Sequence, residues 1–137
     1  MNVDFIGLDH VVLRVRDLDA MLAFYSGLLG CPVERELSEL GLVQLRAGAA
    51  LIDLVPVDSK LGALGGPAPA AEGHNMDHFC LRVNAADLAG IAEALSAQGV
   101  NLGDISRRYG ADGFGPSIYL KDPEGNTVEL KGHPETP

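Results

Sequence analysis

Apolar and polar residues alternate along 7–15 in the manner of a strand, with Val11, Leu13 and Val15 on one face and His10, Val12 and Arg14 on the other. Asp17-Leu18-Asp19 then supplies an N-cap and an acidic first turn. Leu18, Met21, Leu22, Tyr25, Leu28 and Leu29 recur at helical spacing, and Gly30 closes the helix. The stripe predicts a helix lying over the Val11/Leu13/Val15 face, so His10 and Arg14 look to the opposite side of the sheet. Three strands are expected at about 32–37, 41–47 and 50–55, separated by Ser/Glu and Ala-Gly breaks. In the last of them Ile52 and Leu54 share the helix-packed face, which leaves Asp53 on the other with Leu51 and Val55. A carboxylate among five apolar neighbours is locally costly and calls for a partner or a ligand.

The pattern then repeats. Asp9-His10-Val11-Val12-Leu13-Arg14-Val15 returns as Asp77-His78-Phe79-Cys80-Leu81-Arg82-Val83, 68 positions later and identical at five of seven positions. Asp87 to Gln98 reads as a helix with Leu88, Ile91, Ala92 and Leu95 as its apolar stripe, closed by Gly99. A strand is expected near 100–106, followed by a loop over 107–115 that has three glycines but no strand–loop–helix plan, and so is no phosphate cradle. Ser117-Ile118-Tyr119-Leu120 and Thr127-Val128-Glu129-Leu130-Lys131 are strands joined by Asp122-Pro123-Glu124-Gly125-Asn126, in which Pro presets φ and Gly supplies φ > 0. Val128 and Leu130 take the packed face, and Glu129 points away as Asp53 does. The chain is thus two copies of a strand–helix–three-strand unit, about 5–56 and 76–132. The Pro/Gly/Ala-rich 57–75 stretch lies between them, as a linker or as a loop rimming a pocket.

Composition narrows the partners. The 137 residues are 47% hydrophobic and 21% charged, ordinary for one globular domain that buries about two thirds of its unfolded surface. A net charge of −9 argues against nucleic acid and anionic membranes, both of which need clustered Lys and Arg. With no basic-then-apolar leader and no apolar run near the length of a membrane span, cytoplasm is the expected address. Cys31 and Cys80 form no C-x-x-C pair and are expected as small core residues, Cys80 being also a candidate pocket wall because it shares the face of His78. His74 and His133 are expected in solvent.

Each unit therefore carries a histidine on its first strand and an acid on its last, all facing away from the helices. Two imidazoles and two carboxylates suit a divalent metal, and their ligand chemistry leaves Ni, Zn, Co, Mn and Fe open.

The span from Gly7 to Lys131 resembles the vicinal oxygen chelate superfamily of glyoxalases, bleomycin resistance proteins and extradiol dioxygenases. The match is carried by Leu8-Asp9-His10-Val11-Val12-Leu13, by Ala23-Phe24-Tyr25 through Leu28-Leu29-Gly30, by Asp77-His78, and by Tyr119-Leu120-Lys121-Asp122-Pro123-Glu124-Gly125-Asn126-Thr127-Val128-Glu129-Leu130. The resemblance implies an α+β fold of two βαβββ modules forming a curved half-barrel sheet around a metal, usually in a homodimer. By match, His10, His78 and Glu129 fall on the widely shared ligand positions, and Asp53 falls where glyoxalase I carries a Glu. The shorter Asp53 reaches the metal, binds through water, or leaves a position open.

The resemblance further implies a metal-dependent lyase or isomerase acting on a small oxygen-chelating substrate through an enediolate. Glu129 would be ligand and base, and Asp53 the fourth ligand or the opposite base. Arg14 and Arg82, two pleats beyond the histidines, are candidate substrate-binding cations, the alternative being salt bridges to Asp53 or Glu129. Ser117 and Tyr119 are candidate pocket donors. On the same scaffold stand three alternatives: an Fe(II) extradiol-type dioxygenase without Asp53 as ligand, a fosfomycin-resistance-like enzyme, and a non-catalytic binding protein of the bleomycin-resistance kind.

Overall fold

The computed structural model describes residues 1–136 and divides into two compact units, Met1–Asn75 and Met76–Pro137. In the first unit, β1 (His10–Val15) leads into α1 (Leu18–Leu22), β2 (Val33–Leu37), β3 (Leu42–Ala47) and β4 (Ala50–Pro56). The second unit runs β5 (Phe79–Arg82), α2 (Leu88–Ala97), β6 (Ser106–Gly110), β7 (Gly113–Lys121) and β8 (Thr127–Lys131). Each unit is a four-stranded mixed sheet, ordered β1-β4-β3-β2 and β5-β8-β7-β6. First and last strands of each unit pair in parallel, and the other pairs are antiparallel. This is the expected α+β plan of two βαβββ modules, and no helix is long and apolar enough to cross a membrane.

Local sequence accounts for the elements. The Asp17 side chain accepts from Ala20 N at 3.1 Å and Asp87 from Ala89 N at 2.8 Å, so both helices start at a carboxylate cap. Gly30 and Gly99 take φ of 81° and 80° just past the two helical segments, a conformation costly to any residue with a Cβ. The first helix is not uniform. After Leu22 it opens into a π-helical turn over Ala23–Leu28, with Leu29 N donating to Phe24 O. The wider turn lets the consecutive Phe24 and Tyr25 both reach the core, their rings edge to face at 5.0 Å. The helix-side faces of the strands hold the core: Leu13, Val15, Ile52 and Leu54 in the first unit, Ile118, Leu120, Val128 and Leu130 in the second.

Two expectations about 100–115 change. The 100–106 segment makes only an isolated bridge between Leu102 and Leu120. The strand lies further on, at Ser106–Gly110, and pairs with the start of β7 in a hairpin turning at Ala111-Asp112. Arg107 and Arg108 looked like loop residues because the glycines around them mask the alternation. Those glycines serve packing. A Cβ on Gly110 would stand 2.9 Å from the Lys131 Cε, and one on Gly115 would stand 3.3 Å from its Nζ.

Within 57–75 a 3-10 turn, Gly62–Gly65, folds back so tightly that a Cβ on Gly62 would lie 1.8 Å from the Pro56 carbonyl oxygen. Gly62→Ala is therefore expected to lower stability by about 1–3 kcal/mol in urea titration. Gly27→Ala, where a Cβ meets nothing within 4 Å, should be neutral or stabilising by up to about 1 kcal/mol.

Candidate functional site

The parallel register places His10 opposite Leu51 and Val12 opposite Asp53, so imidazole and carboxylate share the face of the first sheet that turns away from α1. Gln44, opposite Asp53 on β3, holds the carboxylate through Nε2 at 3.2 and 3.3 Å. That contact answers the cost of a buried acid. His10 Nδ1 is bonded to Asp9 Oδ2 at 2.7 Å. The bond to Asp9, then the charge of Asp53, raises the His10 pKa above its ordinary value.

The second unit repeats the arrangement more tightly. Cys80 and Tyr119 flank Glu129 across β5 and β7, and the Glu129 carboxylate is 9% exposed. His78 Nδ1 lies 2.5 Å from Asp77 Oδ2, and its Nε2 lies 3.3 Å from Glu129 Oε1. The Nε2 nitrogen thus faces a carboxylate oxygen, the donor pair that a divalent ion placed between them would take up. Two donors each about 2.1 Å from one divalent ion, at tetrahedral to octahedral angles, stand about 3.0–3.4 Å apart. The observed 3.3 Å fits that span. In both units the preceding Asp fixes the ring through Nδ1 and turns Nε2 away from that acid, an arrangement also found around histidines that hold metals. His78 and Glu129 thus form an imidazole–carboxylate pair, and His10 and Asp53 share one face of the first sheet. Among the described residues no three His, Cys, Asp or Glu side chains gather into one metal-binding group.

The other candidates divide. Tyr119 sits edge-on to the His78 ring at 5.3 Å, and its hydroxyl pKa is raised by burial and by Glu129. Ser117 is fully buried, and its hydroxyl accepts from Arg108 Nη1 at 2.9 Å. Arg14 and Arg82 make neither of the salt bridges considered above. Arg14 donates to the carbonyls of Gly62, Gly65, Gly66 and Pro67, while its backbone N–H and C=O bond the Asn75 side chain. Arg82 pairs with Asp112 at 2.6 Å. Cys31 is a core residue as expected, whereas Cys80 is exposed, because it shares the face of His78 rather than the helix-packed one. Partial burial of its sulfur and the adjacent Glu129 push the thiol up to about 11. His133 Nε2 bonds Asn84 Oδ1 at 2.7 Å, and His74 is exposed. Arg107 and Arg108, whose place upstream of Ser117 and Tyr119 resembles the phosphonate-binding region of fosfomycin-resistance enzymes, were expected in a loop; both lie on β6, and Arg108 shares the face of Ser117.

A family model described as the Glyoxalase/Bleomycin resistance protein/Dioxygenase superfamily matches residues 7–130, and the chain belongs to that superfamily. A curated Brassica oleracea protein carrying the provisional name lactoylglutathione lyase is 30% identical over 134 residues. The match takes in 93% of this chain but 45% of that relative, so the chain spans about half its length. Among solved structures, a protein from the mobile metagenome of V. Pseudocholerae superposes with a TM-score of 0.81 at 26% identity, covering 98% of this chain and 100% of that one. A fosfomycin resistance protein from Mesorhizobium loti superposes at 0.66 with 18% identity, covering 95% and 94%, a likeness of fold.

Two outcomes follow from this geometry. In the metal-free protein the His10 imidazole should titrate above 6.5 by NMR, and Asp9→Asn should bring it down. Because the folded value is the raised one, the small stability contribution of this pair is present at low pH and lost as pH rises through the folded pKa. Arg14→Met should free the 62–67 turn, seen as faster proteolysis there with β1 and β4 still protected from hydrogen exchange.

Proposed function

We propose that the chain is a metal-dependent lyase or isomerase of glyoxalase type acting on a small oxygen-chelating substrate, and that it works as a cytoplasmic homodimer. His10, Asp53, His78 and Glu129 would be the ligand side chains, for a divalent ion of the Ni, Zn, Co, Mn or Fe group. The observation that carries the reading is the His78 Nε2 to Glu129 Oε1 separation of 3.3 Å, with Asp77 on the far side of the ring. When bound, the ion supplies a Lewis acid that polarises two adjacent substrate oxygens. Glu129, buried beside Cys80 and Tyr119, takes the proton from the substrate carbon next to a carbonyl. Its partial desolvation keeps competing water from the carboxylate. Asp53 serves as fourth ligand or as the second base. Tyr119 donates from its hydroxyl, and the buried Ser117 hydroxyl holds the wall behind it.

One observation favours a second reading. Both Asp53 oxygens lie within hydrogen-bond reach of the Gln44 amide, which suits an acid that stays outside the coordination shell. A three-ligand set of His10, His78 and Glu129 is the pattern of an extradiol-type dioxygenase or a fosfomycin-resistance-like enzyme.

Elemental analysis of untagged protein tests both readings. Near-stoichiometric divalent metal is expected, lost in His78→Ala and Glu129→Ala. Retention in Asp53→Asn would select the three-ligand set, and loss would select four. Isomerisation of the hemithioacetal of methylglyoxal and glutathione should then fall at least 100-fold in Glu129→Gln, whereas oxygen uptake with a catechol marks the dioxygenase. A parent protein that neither holds nor takes up metal would leave a binding protein as the function.

A further inference from the structure

Arg14 and Arg82 stand four residues after the histidine in the two copies of the repeat, and each guanidinium bonds a connection that comes later in its own unit. Arg14 is spent on four carbonyls of the 62–67 turn. That turn lies hard against the side chain, since a Cβ on Gly65 would stand 2.4 Å from Arg14 Nε. Arg82 makes a single contact of this kind, Nη1 to Asp112 Oδ2 at 2.6 Å, at the tip of the β6–β7 hairpin. The two side chains are 66% and 45% exposed.

The hairpin has to bend to make that contact. Arg82 is in register with Lys131 and Lys131 with Ser117, whereas the hairpin turns beyond Gly113. In a flat sheet Gly113 would lie two strands over and four residues on, about 16 Å from Arg82 and beyond the combined length of the two side chains. The tip therefore leans toward β5, over the end of the face that carries His78, Cys80 and Arg82. Lys131 fills the space beneath: its ammonium donates to the Arg108 carbonyl at 2.5 Å, and a Cβ on Gly110 would stand 2.9 Å from its Cε. The C-terminal tail holds β7 as far as Phe114, whose carbonyl accepts from Glu135 N at 2.7 Å. Past that point lie Gly110, Ala111, Asp112 and Gly113, with a glycine at each end and, among the described residues, one side-chain bond, the pair to Arg82.

We propose that the Arg82–Asp112 pair is a latch that holds the 110–113 tip across one end of the His78/Glu129 face, and that its release opens that end to ligands. The inference rests on the reading of that face as the ligand site, while the latch itself needs no metal. An ion pair this exposed holds weakly and is loosened by salt, which suits a tip that opens and recloses. The matching arginine of the first unit, fastened by four carbonyls, makes a fixed wall instead. Four residues along β5 put the tip about 13 Å from His78, so it bounds the far part of a ligand and not its chelating oxygens.

The test uses the full metal-free chain and NMR relaxation of its backbone amides. In the parent at low salt the 110–113 amides should be as rigid as the strands, with order parameters of about 0.85. In Asp112→Asn, in Arg82→Met and in the parent at 1 M NaCl they should fall below about 0.6, with Phe114–Ser117 unchanged. Arg82→Lys should restore part of the loss, and Arg14→Met should leave this tip as in the parent. Broadening of the Cys80 β-proton and Tyr119 ring signals by a neutral gadolinium chelate should rise at least twofold wherever the tip is loose. A parent that takes up no metal but shows these responses would remove the metal reading and keep the latch. A tip equally rigid in parent and variants, or one that loosens with no gain in broadening, would overturn the proposal.

Discussion

Everything functional in this chain depends on the parallel pairing of the first and last strand of each module. Strands from the two ends of a module come together only because a helix crosses back between them, and the helix needs an apolar face to lie on. Leu13, Val15, Ile52 and Leu54 supply that face in the first unit, Val128 and Leu130 in the second. With side chains alternating across each strand, packing these residues inward forces their neighbours outward. Hydrophobic burial thus sets the register, and the register brings His10 to the face of Asp53 and His78 within reach of Glu129. A slip of one residue in either module would cost that module its core and move its acid off the face of its histidine.

That coupling explains why so much was legible from sequence. The repeated D-H-x-x-L-R-V stretch, the carboxylate caps at Asp17 and Asp87 and the glycines at 30 and 99 fix each helix between its strands. The facing of Asp53 and Glu129 follows from alternation. What could not be read is where long side chains end. Arg14 was expected to meet an acid or a substrate, but a guanidinium can satisfy its donors on carbonyls of a loop whose path no periodicity encodes. Cys80 carried two expectations, core from its apolar neighbours and pocket wall from its strand position; it is exposed and stands opposite Glu129, so alternation was the better guide to its face. The β6 strand was hidden because its glycines, required by the bulk of Lys131, also read as loop.

The arginines show how a shared strand face separates into different roles. Arg14 organises backbone, Arg82 closes an ion pair, and Arg108 is held through Nη1 on Ser117 and against the Tyr119 ring. Position on the sheet is common to them; the neighbours that use up their donors are not. Counting those donors separates the three more sharply than distance from the histidines does.

The acid that orients each imidazole is the residue immediately before it, Asp9 for His10 and Asp77 for His78. An orienting acid drawn from elsewhere in the fold would have to be inherited as a second, separate position. Here they form one dipeptide at the mouth of a strand. Copying the module copied an imidazole together with the acid that orients it, and the same two residues make a compact unit to graft onto the start of a strand in another sheet.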